Sequence, residues 1–76
     1  MKAQPLSTCQ TNKSYVITQL LGDHDVKKFF KHVGLNEKDV LTLVNHINKH
    51  FIIYLKGSRY AMEKAIADHI MVTLHV

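Results

Sequence analysis

Apolar residues change their spacing several times along this chain, and each change marks an element. Tyr15–Leu21 is rich in β-branched and aromatic residues and reads as a strand that Gly22-Asp23 ends. Val26, Phe29, Phe30 and Val33 then fall at i, i+3, i+4 and i+7, one apolar face of a helix. Asp23 is suited to cap its start, because a carboxylate can accept from the free amides of the first turn. Asp25 adds negative charge near the positive end of the helix dipole, and Lys31 and His32 add positive charge near the negative end. Gly34 can take the left-handed conformation that closes a helix, with Leu35 making the accompanying apolar contact. The pattern predicts a helix of three turns over Asp23–Val33.

Downstream, Asn36-Glu37-Lys38-Asp39 is a polar turn, and Val40–Asn45 and Phe51–Lys56 read as strands joined by a five-residue connection, His46–His50. Gly57-Ser58 marks a turn, Arg59–Glu63 a short strand, Lys64–Asp68 a single helical turn and Ile70–Val76 the last strand. Residues 1–14 are polar and aperiodic and read as a flexible N-terminal arm, which leaves 15–76 as the folded domain. The order is β-α-β-β-β-turn-β. Val40–Val44 and Phe51–Leu55 are apolar at nearly every position. Such strands need cover on both faces or a strongly curled sheet, and a small barrel plugged by the helix provides it.

The 76 residues allow one domain. With 46% hydrophobic and 21% charged residues the chain is neither a disordered tail nor a collagen-like repeat. One cysteine excludes an internal disulfide. The N-terminus has no apolar targeting segment and no run is long enough to span a bilayer, so a soluble, cytoplasmic protein is expected. The net charge of +4 permits an acidic partner, and the scattered lysines lack the density of a dedicated nucleic-acid binder.

Six histidines raise the question of metal. His46 and His50 bracket the predicted loop and are weak candidates for a shared divalent ion. His24, His32, His69 and His75 are too far apart in their elements to converge, and no required cofactor is expected. Catalysis is not expected either. Cys9 has no positioned base, Ser58 and Thr42 have no visible triad partners, and no phosphate-binding glycine loop ending in Gly-Lys-Ser/Thr is present. Lys27, Lys28 and Lys31 lie on the polar side of the helix and Arg59 and Tyr60 follow the Gly57 turn. These five are the candidate partner-binding residues.

Four pieces in order carry a resemblance. They are Ile17-Thr18-Gln19-Leu20-Leu21-Gly22-Asp23, Phe29-Phe30-Lys31-His32-Val33-Gly34-Leu35, Lys56-Gly57-Ser58-Arg59-Tyr60-Ala61-Met62 and Ala67-Asp68-His69-Ile70-Met71-Val72. Over Tyr15–Val72 the chain resembles the ferrous iron transport protein A family, FeoA. Two features depart from it: the long arm, and Glu37-Lys38-Asp39 where members commonly carry a second glycine. The resemblance implies a mainly β, SH3-like small barrel with one short helix. It further implies a non-enzymatic accessory protein that modulates Fe(II) uptake by contact with the cytosolic domain of an FeoB-type transporter. Such a protein would be peripheral to the membrane at most and could form a homo-oligomer. FeoA-like modules also end metal-dependent transcriptional repressors. The competing expectations are a nucleic-acid-binding SH3-like barrel and a histidine-based transition-metal sensor with weak divalent metal association.

Overall fold

In the computed structural model, which describes residues 2–76, alternating residues of a single curled sheet build the core. The strands are β1 (Gln4–Pro5), β2 (Lys13–Leu20), β3 (Val40–Ile47), β4 (His50–Leu55), β5 (Ser58–Glu63) and β6 (Ile70–Leu74). A 3₁₀ turn covers Leu6–Thr8, helix α1 covers His24–Val33 and the short helix α2 covers Lys64–Ala67. All pairings are antiparallel and the sheet order is β1-β6-β2-β3-β4-β5. The sheet curls toward a barrel without closing: β1 and β5 are its edges and do not pair with each other.

The inward row is visible in the register. Ile17 faces Val72, Leu43 faces Ile53 and Phe51 faces Met62, all buried. Irregularities between Ile17 and Gln19 and between Leu43 and Asn45 each insert a residue, which bends the strand as a bulge does. Of the two ways to accommodate the apolar strands Val40–Val44 and Phe51–Leu55, cover on both faces or a curled sheet, the structure uses the curl. Val40 and Tyr54 are exposed on the outer face, and curling hides only the inner one.

The N-terminal segment, expected as a flexible arm over residues 1–14, packs onto the sheet instead. Leu6 is 0% exposed and belongs to the core. Gln4 and Pro5 pair with Val72 and Met71, and the Cys9 amide donates to the Leu6 carbonyl at 3.0 Å. The Ser7 hydroxyl donates to the Asp68 carboxylate, and the Tyr15 hydroxyl donates to the Gln10 carbonyl at 3.0 Å. The Ser7 bond, assisted by Lys64, holds the Asp68 carboxyl below its ordinary range. Desolvation by this packing pushes the Cys9 thiol up, so the thiol stays protonated at neutral pH and is a poor nucleophile.

The connection between β3 and β4 is two residues, Asn48-Lys49, rather than five, because Ile47 and His50 already pair. Asn48 supplies the positive φ of the turn, 56°. The 36–39 turn also needs a left-handed residue. Lys38 occupies it at φ 75°, with its amide donating to the Ile17 carbonyl at 2.7 Å. This is where the missing second glycine would be cheap. Lys38→Gly is therefore expected to stabilise the fold by about 0.5–1 kcal/mol, the relief of left-handed strain less the added freedom of the unfolded chain. Urea unfolding checks it, and a loss of stability would mean that the lysine side chain contributes more than its backbone strain costs.

Candidate interaction surface

Helix α1 is held at both ends by local chemistry. The Val26 amide donates to Asp23 Oδ1 at 3.0 Å, which caps the start. At the other end Gly34 adopts φ 81°. Its amide donates to the Lys31 carbonyl at 3.3 Å, and the Leu35 amide donates to the Phe30 carbonyl at 2.9 Å. These are the two bonds of a Schellman motif, and Phe30 and Leu35 make its apolar contact within the core. The segment after the helix is tied down by Asp39, which accepts from the Asn36 amide at 3.0 Å and pairs with Lys56 Nζ at 3.2 Å. Lys56 Nζ also donates to the Gly34 carbonyl at 3.1 Å, so the β4–β5 turn clamps the helix end.

With its apolar stripe turned inward, α1 presents Lys27, Lys28 and Lys31 to solvent. None of the three takes part in an ion pair among the described residues. A groove of about 550 Å³ runs beside them, lined by Leu20, Lys27, Phe30, Lys31, Leu35, Asn36 and Glu37. Its floor is apolar and its helix rim is cationic. A second depression of about 360 Å³ is lined by His24 and the three lysines.

Arg59 and Tyr60 lie elsewhere, on the edge strand β5. Arg59 is exposed and pairs across the strand with exposed Tyr54, whereas Tyr60 is half-buried opposite Ile53. Neither lines the groove beside Lys27 and Lys31. The five expected partner-binding residues therefore divide into two sites. The floor of the groove was not anticipated: Leu20 and Leu35 read from sequence as strand and cap residues. The only signal was Leu35 immediately after Gly34, which places an apolar residue beside the helix end.

Register does not bring the weak metal candidates His46 and His50 together. His46 pairs with Phe51 and His50 with Ile47, so neighbouring pairs send the two imidazoles to opposite faces. His46 stacks on Phe51 at 4.0 Å and bonds the Asn48 carbonyl oxygen at 2.8 Å, a role in the turn. Among the described residues no three His, Cys, Asp or Glu side chains converge in a group that could hold a metal. Nor is any helix among them long and apolar enough to cross a membrane.

The sequence profile of the FeoA domain matches residues 4–74. The chain belongs to the FeoA domain family. The match starts eleven residues before the resemblance read from sequence and takes in the N-terminal segment that packs through Leu6. The fold agrees with solved structures. A crystal structure described as iron uptake regulatory protein (FeoA) superposes with a TM-score of 0.85 at 23% identity, covering 96% of this chain and 97% of that one. The NMR structure of an FeoA-like protein from Clostridium acetobutylicum gives 0.89 at 13% identity, covering 100% and 91%. A manganese-dependent transcriptional repressor in complex with manganese gives 0.91 at 14% identity, but this FeoA domain covers only 37% of that chain. The likeness to the repressors is of one module, the SH3-like fold. Among curated proteins no match is found.

Proposed function

We propose that this FeoA-domain chain is an accessory protein of ferrous iron uptake, working on the cytosolic side by binding a partner protein. The partner in this reading is the cytosolic domain of an FeoB-type transporter, and the chain modulates uptake without chemistry of its own. The family match over residues 4–74 carries the reading. The described FeoA of similar length, an iron uptake regulatory protein, supports it. The surface supports it too, because an exposed cationic helix beside an apolar groove suits protein contact of modest area.

The test is a clean deletion assayed for Fe(II) uptake. Uptake is expected to fall and to recover when the gene is returned. Unchanged uptake would overturn the reading. Titration of the nitrogen-15-labelled protein with the soluble cytosolic domain of the transporter then reports the contact directly.

A further inference from the structure

We infer that the groove between α1 and the 35–37 segment is a docking site for an acidic, amphipathic peptide segment, one apolar side chain followed by carboxylates. This rests on the reading of the chain as a protein-binding module and deepens it by giving the partner's chemistry. Three observations converge. The floor is made by Leu20, Phe30 and Leu35 in a groove of about 550 Å³, room for a leucine-sized side chain and the backbone beside it. Lys27 and Lys31, one helical turn apart, rim it on the α1 side. Neither is used in an ion pair among the described residues, so their charge is available.

The groove has a polarity. Glu37 and Asn36 line it beyond the helix end. An incoming carboxylate is attracted along the Lys27–Lys31 rim and repelled near Glu37, so the acidic residues of the segment must lie along the helix. Asn36 leaves a polar side chain for the peptide backbone, although its amide nitrogen Nδ2 already contacts the Gly34 carbonyl at 3.3 Å. The groove is also pre-formed, since the Schellman cap and the Lys56 clamp fix both the helix end and the 34–39 segment. A pre-formed site spends little ordering entropy on binding.

Lys28 supplies the internal control. It sits on the same helix with the same charge and shares the neighbouring depression with Lys27 and Lys31, but it does not line this groove. A lysine that lines the groove can pair directly with an incoming carboxylate, whereas Lys28 acts on it only through screening solvent. Reversal of a groove lysine should therefore matter more than reversal of Lys28.

The experiment titrates the labelled full chain with a short peptide carrying one leucine followed by a run of glutamates, at physiological salt. Shifts are expected at Leu20, Lys31, Leu35 and Asn36. Lys31→Glu and Lys27→Glu should each weaken binding about tenfold, a lost attraction replaced by a repulsion. Lys28→Glu should change it less than about threefold, and a serine in place of the peptide's leucine should remove most of the affinity. Lys31→Gln guards against a helix-end defect from the new glutamate, and should lie between wild type and Lys31→Glu.

Equal losses for all three lysine reversals would reduce the site to diffuse charge and overturn the proposal. So would shifts confined to β5, or tighter binding to phosphatidylglycerol vesicles than to the peptide. The deletion assay separates this from the functional reading. Uptake that depends on the protein while the peptide leaves the groove unperturbed sinks the docking site alone. A groove that binds the peptide in a protein whose deletion leaves uptake unchanged sinks the functional reading alone.

Discussion

Leu6→Ala is expected to cost about 2–5 kcal/mol, the range for truncating a buried leucine and leaving a cavity behind. Leu6 has no exposed surface, and it is the buried anchor of the N-terminal segment. A 76-residue domain buries only about 60% of its unfolded surface, so its total stability lies near the low end of about 5–15 kcal/mol. One truncation can therefore consume most of it. The loss should spread beyond the cavity. The β1–β6 pairing, the Ser7–Asp68 bond and the Tyr15–Gln10 bond all depend on this segment lying where Leu6 holds it. Urea unfolding measures the effect, with Thr11→Ala, an exposed position, expected to stay within about 0.5 kcal/mol. Leu6→Met, which nearly conserves volume, should cost less than about 1.5 kcal/mol. A change below about 1 kcal/mol for Leu6→Ala would mean that the segment adds nothing to the core.

Gly22→Ala should cost about 2–4 kcal/mol, from two additive causes. Gly22 sits at φ 107°, which side chains rarely adopt. A Cβ there would also lie 2.8 Å from both Cβ and Cγ1 of Val26, and 3.3 Å from Cδ2 of His69. The Val26 Cβ is backbone-attached and cannot swing aside, so the first turn of α1 must move. Its N-cap bond from the Val26 amide to Asp23 would suffer first. Hydrogen exchange should show lost protection at the Val26 amide before the rest of the helix. Val26→Ala in the same background should recover only part of the stability, because it removes the Cγ1 overlap and leaves the Cβ overlap and the φ strain. A Gly22→Ala protein as stable as wild type would refute the close approach.

The same geometry explains why Gly22-Asp23 stands at the end of the first long strand. Glycine is needed for the turn and the approach to Val26, and aspartate for the cap. Both requirements are local, which is why this part of the chain was legible. The helix limits, the Gly34 closure and the Leu35 contact were readable for the same reason: hydrogen bonds spanning three to five residues leave their marks within that span.

Other features were not readable. Leu6 is one apolar residue in a polar stretch, with no periodicity to announce that β6 would accept it. The β3–β4 connection read as five residues because His46, Ile47 and His50 look like loop composition. Pairing extended both strands through them and, in doing so, put the two imidazoles on opposite faces. The bulges near Val44 and Thr18 decide which residues of β2 and β3 face inward, yet neither residue type marks a bulge. The groove has its floor in residues 20, 30 and 35, which only the tertiary structure brings together.

By itself the sequence determined the single domain, the helix with both caps, the β-rich class and the family, because these rest on short-range patterns and ordered motifs. Tertiary structure alone decided that the N-terminal segment belongs to the core, that the sheet curls without closing, and that Lys27 and Lys31 flank an apolar groove while Arg59 and Tyr60 stand on the edge strand β5. Those outcomes depend on which long-range pairings bury the most apolar surface at once, and no local pattern encodes that competition.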